Sequence, residues 1–297
     1  MFDLKHLGVT AVAFTLVAIG PWQEPQGARD AVFKSSSATV AVYATVRDRS
    51  TNRLAQGLRQ EEFDVIDAGR RATISVFSSV PQALAVVTMI DLSSSVWDKL
   101  PTLRAAAHEF VDLFRPGDRA KIGSFSSLRI AISPTWTNDK VELHRILNEE
   151  LWIGPNSPVW NATDRAIDSF EGATDRKVVL LLSDGRNHGG INGLKGSLGS
   201  VRQRAEVQGI MIYVIGPNLD ASASELAKVT GGGSFELGPD LRQLSETLTV
   251  VADELHNQYL IGFEPVEPDG KTHAVTVSTK NPNLQVTARQ SYVAHRR

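Results

Sequence analysis

Three oxygen-bearing side chains stand at alternate positions in Asp91-Leu92-Ser93-Ser94-Ser95. A carboxylate and two hydroxyls at one turn are hard oxygen donors, the ligand type that Mg²⁺ and Mn²⁺ prefer. Hydroxyls are neutral, so they cannot satisfy a divalent ion without nearby acids and water. Asp184, within Ser183-Asp184-Gly185, is the natural second acid. Two carboxylates close together repel, and a bound cation removes that cost. Each group also has an ordinary structural use. Asp and Ser cap helix N-termini and favour the helix dipole, and Asp-Gly is a common turn. Other chemistry is poorly served. The seven histidines are dispersed, none at the i, i+4 spacing of a helical zinc site. His188 borders Asp184 in sequence, and a solvated loop position suits it equally. No Gly-x-Ser-x-Gly elbow is present. Gly231-Gly232-Gly233-Ser234 lacks the lysine of a phosphate loop and reads as a helix stop.

Both acids follow apolar runs. Leu84 to Ile90 and Lys177 to Leu182 are continuous enough for strands buried on both faces, as is Ile210 to Ile215. In open α/β sheets ligands bind at the carboxyl ends of such strands. Amphipathic helices alternate with them. One spans about Asp98 to Phe114, with Leu100, Leu103, Ala107, Phe110, Val111 and Phe114 as its stripe. Others are expected over Asn138 to Glu149, from a loop at Trp152 to Val159 on to Phe170, from the Gly-rich stretch Gly189 to Gly199 on to Val207, over Ala223 to Val229, and over Asp240 to Leu255. Ala120 to Ser124 and Leu128 to Ile132 are too close for a crossover, so they form a hairpin with one antiparallel edge strand. This pattern predicts a doubly wound α/β domain with a mostly parallel sheet.

The flanks read as β. Ala38 to Asp48 alternates, Glu62 to Ile66 and Ala72 to Ser78 are short strands, and Gln258 to Phe263, His273 to Ser278 and Leu284 to Ala288 follow the last helix. Each flank is short of strands by itself, which predicts that the two ends pair into one small β unit.

With 297 residues the chain can bury a substantial core, and 42% hydrophobic and 22% charged residues are ordinary for a folded protein. A net charge of −2 gives no electrostatic footprint for nucleic acid or an anionic membrane. With no cysteine, disulfides, thiolate metal sites and cysteine nucleophiles are excluded. Lys5 followed by the apolar and small residues Leu7 to Gly20 suits a signal-peptide core better than a full span, with Pro21 to Arg29 as a linker. Membrane contact is expected only through that segment, and export to the periplasm, the cell surface or the medium follows.

Val86 to Ser95 and Leu180-Leu181-Leu182-Ser183-Asp184-Gly185 resemble the von Willebrand factor type A domain and its metal-ion-dependent adhesion site. The resemblance covers about Leu84 to Gln258. The flanks, with Gly57-Leu58-Arg59-Gln60-Glu61-Glu62-Phe63, Phe77-Ser78-Ser79 and Gln258-Tyr259-Leu260-Ile261-Gly262-Phe263, are similar to bacterial exported proteins of this kind known mainly from Acidobacteria. The resemblance implies a Rossmann-like fold with Mg²⁺ or Mn²⁺ on its rim, held by Asp91, Ser93 and Ser95 and through water by Asp184. The family's loop threonine is absent. Aligning Trp160-Asn161-Ala162 puts Ser157 in its place, beside an atypical Pro158; Thr163 is the alternative. The implied organisation is a leader and linker over 1–35, a β unit over 36–80, the A-type domain over 82–257 and a β tail over 258–297. The implied function is recognition of a partner protein's Asp or Glu carboxylate without catalysis. A metal-independent envelope scaffold and a metal-dependent hydrolase are the alternatives.

Overall fold

A computed structural model describes residues 39–149, 153–189 and 196–296, with Ser95 described by its backbone alone. The leader and linker expected over 1–35 lie outside the described residues. Among those described, no helix is long and apolar enough to cross a membrane.

The described residues begin in β. Strands β1 (Val40–Asp48), β2 (Phe63–Asp67), β3 (Arg70–Ala72) and β4 (Ile74–Ser78) precede β5 (Leu84–Asp91). From β5 the elements alternate as read from the sequence, with the edge strand β10 (Ser234–Leu237) added. They are α1 (Leu100–Asp112), β6 (Arg119–Ser126), β7 (Arg129–Ile132), α2 (Lys140–Glu149), α3 (Val159–Asp168), β8 (Arg176–Leu182), α4 (Leu198–Gln208), β9 (Met211–Pro217), α5 (Ala221–Val229), β10 (Ser234–Leu237) and α6 (Leu244–His256). Strands β11 (Tyr259–Phe263), β12 (Thr272–Thr279), β13 (Leu284–Ala288) and β14 (Ser291–Val293) end the chain.

The central sheet has the order β10-β9-β8-β5-β6-β7, parallel except for β7, which returns from β6 in the expected hairpin. Every residue of β5 is buried. That explains its unbroken apolar run, because helices cover both faces. Leu84, Val86 and Ile90 meet α1, α2 and α6 on one face, while Ala85, Val87 and Met89 meet α3, α4 and α5 on the other. From β5 the sheet grows one way to β6 and the other way to β8. The carboxyl ends of β5 and β8 therefore flank a topological switch point, where doubly wound sheets leave a crevice.

The two flanks pair as expected from the sequence. β1 lies between β11 and β13, and β2 pairs with β12. Two four-stranded antiparallel sheets result, β13-β1-β11-β4 and β14-β12-β2-β3, whose inner faces share one core around Val42, Phe63, Ile261, Phe263, Val275 and Tyr292. This unit is larger than the sequence suggested, and two readings need correction. The stretch Ala72 to Ser78 is not one strand: β3 stays with β2, and after Thr73 the chain crosses to the other sheet, where β4 pairs with β11. The period-two pattern runs unchanged through the crossing. The last helix also starts at Leu244, not Asp240, because Leu241 takes a left-handed conformation that interrupts helical winding.

At the base of the central sheet, Asp118 is almost fully buried. It accepts hydrogen bonds from Leu84 N, Arg115 N and, at 2.7 Å, His256 Nε2. Burial alone would raise its pKa, but these hydrogen bonds and the charge of His256 outweigh that and hold it below the ordinary carboxylate value. A carboxyl with a depressed folded pKa adds stability above its unfolded pKa of about 3.9 and loses it as pH falls through the folded value. Urea unfolding at pH 7 and again below pH 4 is therefore expected to show a larger acid loss of stability in the wild type than in Asp118→Asn. Equal losses would remove Asp118 from the acid sensitivity.

Candidate metal centre

Asp91 is the last residue of β5. Beyond it the chain stays close to its neighbours: Leu92 N donates to Phe125 O at 2.9 Å, Gly154 N donates to Leu92 O at 2.9 Å, and Ser94 Oγ donates to Pro155 O at 3.1 Å. The loop before α3 is thus laid against the loop after β5. That brings Ser157, far away in sequence, to the acid.

Three serines converge on Asp91, which is only 3% exposed. Ser157 Oγ donates to Oδ1 at 2.9 Å and Ser183 Oγ to Oδ2 at 2.7 Å. Ser93 donates its backbone N–H to Oδ1 at 3.0 Å, and its hydroxyl also hydrogen-bonds the carboxylate. A short 3₁₀ helix follows at Ser94–Lys99, but Ser93 makes no side-chain capping bond to it. Burial pushes the Asp91 carboxyl above its ordinary pKa, and the hydrogen bonds from Ser183, Ser93 and Ser157 oppose the rise. The acid is thus held by neutral donors.

Asp184 follows β8 across the crevice. Its side chain turns back to accept from Arg186 N at 2.9 Å, and its carbonyl accepts from Asp220 N at 2.8 Å, just before α5. Two glycines permit this path. Gly185 has φ +75°, and a Cβ on it would lie 2.4 Å from Ala223 Cβ; a Cβ on Gly216 in β9 would lie 2.3 Å from Ser183 O. Asp91, Ser183 and Asp184 line one cleft of about 190 Å³ together with the apolar Leu103, Leu182, Ile215 and Leu244 and the cationic Lys99 and Arg186.

The structure therefore brings Asp91, Ser93 and Ser157 into one hydrogen-bonded group and sets Asp184 on the same cleft. The Ser95 side chain lies outside the described set. Pro158 does not pull Ser157 away; it starts α3 directly behind it. Thr163 is buried inside α3, where its hydroxyl donates to Val159 O at 2.8 Å, so it does not reach the centre. His188 is exposed, and it is its backbone N–H that donates to Ser157 O. Ser183 is the residue that sequence reasoning passed over. Its place beside Asp184 at a strand end was the available signal.

This donor set can be tested against the implied ion. It is all oxygen, with two acids and several hydroxyls, which fits a hard divalent cation. It is also poor in charge: among the described residues no three His, Cys, Asp or Glu side chains cluster as a metal site. Water would have to complete the shell.

No curated protein matches the chain. Among solved structures, a von Willebrand factor type A protein from Catenulispora acidiphila is similar with TM-score 0.50 at 13% identity, over 88% of this chain and 75% of that one. Proximal thread matrix protein 1 from the mussel byssus, with a zinc-occupied MIDAS motif, is similar with TM-score 0.50 at 18% identity, over 62% of this chain and 48% of that one. At these identities the likeness is one of fold. Residues 85–247 match the family described as the von Willebrand factor type A domain, and with more than half of its length matched the chain belongs to that family.

Proposed function

We propose that the chain is an exported protein-binding module that recognises a partner's Asp or Glu carboxylate through a divalent cation at the β5–β8 crevice. Asp91, Ser93, Ser95 and Ser157 would hold Mg²⁺ or Mn²⁺, with Asp184 acting through water. The observation that carries this reading is Asp91 itself: a buried carboxylate held by neutral donors at a topological switch point. A carboxylate kept from water without a charged partner is costly unless a cation arrives. Once bound, the ion would offer an open coordination position to the partner's acid.

The chain's own residues do the rest. Ser157 and Ser183 fix the two Asp91 oxygens from opposite loops, so the acid cannot swing out to solvent. Trp97 in the helix after β5 and Leu128 in the β6–β7 turn stand 67% and 73% exposed, giving apolar contacts for a partner surface. The centre is read as a recognition device rather than a catalyst. We assign residues 1–35 to an export leader and linker, 82–257 to the recognition domain, and 36–80 with 258–297 to the β unit that carries it. We assign the chain to the Acidobacteria-type exported members of the family, at the periplasm, the cell surface or outside the cell, and the pattern of flanks supports that assignment. The zinc-occupied site of the byssus protein supports the idea of a cation at such a rim.

Calorimetry on chelator-treated protein tests the reading. Mg²⁺ or Mn²⁺ should release binding heat, and Ser157→Ala should weaken the ion about tenfold, the lower end of what loss of a supporting group costs a metal site. A peptide bearing Asp should then be retained only with the ion present, and its Asn counterpart should not. No heat from any divalent ion, with peptide capture unaffected by chelator, would favour a metal-independent scaffold instead.

A further inference from the structure

A second cluster lies on the helical layer, between α1 and α2. His108 of α1 and His144 of α2 face each other with their Nδ1 atoms 2.7 Å apart and their ring centroids 4.9 Å apart. Their other nitrogens are engaged: His144 Nε2 lies 3.0 Å from Asp112 Oδ1, and His108 Nε2 lies 3.1 Å from Asn148 Oδ1. A carboxylate can only accept, so His144 carries its hydrogen on Nε2. With the Asn148 amide oriented so that its carbonyl oxygen faces the ring, His108 carries its hydrogen on Nε2 as well. Each neutral imidazole then has a bare lone pair at Nδ1, and the two lone pairs point at one another. That contact is repulsive unless an electron-pair acceptor sits between them.

We propose that the acceptor is a divalent transition metal of the Zn²⁺, Cu²⁺ or Ni²⁺ class, bridging His108 Nδ1 and His144 Nδ1. Imidazole nitrogen suits these ions and does not suit Mg²⁺, so the site differs in chemistry from the all-oxygen centre. Zn–N bonds of about 2.0–2.1 Å at a tetrahedral angle need the two nitrogens roughly 3.3 Å apart, a small outward rotation of the rings. Asp112 has the place of the outer carboxylate that commonly orients a ligating histidine and raises its basicity. The Asp112 side chain is 62% exposed and that of His144 30%, so water can fill the remaining positions. Lys140 Nζ donates to Asp112 O at 2.7 Å, which further ties α2 to the end of α1. The ion would clamp α1, the helix that follows the Asp91 loop, to α2.

The test uses the full chain carrying Asp91→Ala, so that the rim centre contributes nothing. Zn²⁺ at a hundredfold excess over its Kd should raise the melting temperature by roughly 5 °C, and Mg²⁺ should not. His108→Gln and His144→Gln should each abolish the rise, His188→Gln should retain it, and Asp112→Asn should weaken Zn²⁺ about tenfold. Imidazole ¹⁵N spectra of the same protein give a readout that does not depend on the variants folding: Zn²⁺ should shift the Nδ1 signals of two histidines and leave their Nε2 atoms protonated. No thermal shift in the parent, or a shift that survives both His substitutions, would overturn the proposal. So would Zn²⁺-insensitive Nδ1 signals with a melting temperature that changes only with pH, since a shared proton would then be the acceptor.

Discussion

Asp91→Ala is expected to remove most of the thermal stabilisation that Mg²⁺ or Mn²⁺ gives the chain. At a hundredfold excess over Kd a bound ion stabilises the fold by about 2.7 kcal/mol, and removal of its central acid should weaken binding at least a hundredfold, so at most about 0.4 kcal/mol remains. The substitution acts on the ion-free fold too. Ser157 and Ser183 lose the acceptor for their hydroxyls, and Ser93 N loses its partner. Leaving buried donors unpaired costs about 1–3 kcal/mol each, partly offset because a buried charge disappears. Asp91→Asn separates the two effects. Its oxygen can still accept from Ser93 N and Ser157 Oγ while its NH₂ donates to Ser183 Oγ, so without the charge it should stay close to wild type without metal and lose most of its response to Mg²⁺. Differential scanning fluorimetry with chelator and with each ion reads both. A wild-type-sized metal shift in either variant would remove Asp91 from the centre.

The second large effect is expected far from the rim. Arg176 starts β8 and is buried where the central sheet meets the β unit. Its Nη1 donates to Leu255 O at 2.6 Å, its Nη2 bonds Gln258 Oε1, and its guanidinium lies 4.4 Å from the Tyr43 ring centroid. Nearby, Glu254 accepts from Thr45 Oγ1 at 3.0 Å, Tyr213 OH at 2.7 Å and Arg47 Nη2 at 2.8 Å, while Gln258 Nε2 donates to Thr45 Oγ1 at 2.6 Å. Burial draws the Arg176 pKa down, and Tyr213, Tyr43, Glu254 and Asp118 oppose it. Arg176→Ala would leave Leu255 O and Gln258 Oε1 without their buried donor, weaken the balance of charge around Glu254 and open a void under Tyr43. Two buried acceptors left without a donor cost about 1–3 kcal/mol each, which with the void amounts to roughly 10 °C in melting temperature. Arg176→Met fills the void and should recover part of that loss. Limited proteolysis should find new cleavage in Arg176→Ala near Ser79–Ala83 and Asn257, the two connections between sheet and β unit. Unchanged stability would mean that the network is solvated in practice.

The strands that build the rim were legible because they are buried on both faces. Leu84 to Ile90, Lys177 to Leu182 and Ile210 to Ile215 carry apolar residues without alternation, and the structure uses both sides of each. The edge was not legible. β10 follows three glycines, and of its residues only Leu237 is fully buried, so its sequence carries little apolar signal. Nor does a pattern of alternation say which sheet a strand joins, which is why the change of partner at Thr73 was invisible. At the centre, Asp91 and Asp184 were readable as strand-end acids. The Ser183 contact was not, because a serine inside a Ser-Asp-Gly turn looks like turn chemistry until β5 and β8 lie side by side. Ser157 reached Asp91 through a loop pairing, Gly154 with Leu92 and Ser93, that no local pattern encodes.

The pairing of β4 with β11 has a mechanical meaning. The chain enters the central sheet from β4 and leaves it through α6 into β11, and both connections lie at the base, where Leu255 and His256 are tied to Arg176 and Asp118. β4 and β11 are adjacent antiparallel strands, and Ser78, the last residue of one, faces Leu260 near the start of the other. A pull on the rim would therefore draw the two strands in the same direction, with little force tending to separate them from each other. The load would pass sideways into the five residue pairs between β11 and β1, from Val40↔Phe263 to Ala44↔Tyr259. Strands loaded along their length must break those hydrogen bonds together rather than one at a time. Force entering along these two strands would therefore be met by the whole β1–β11 ladder at once.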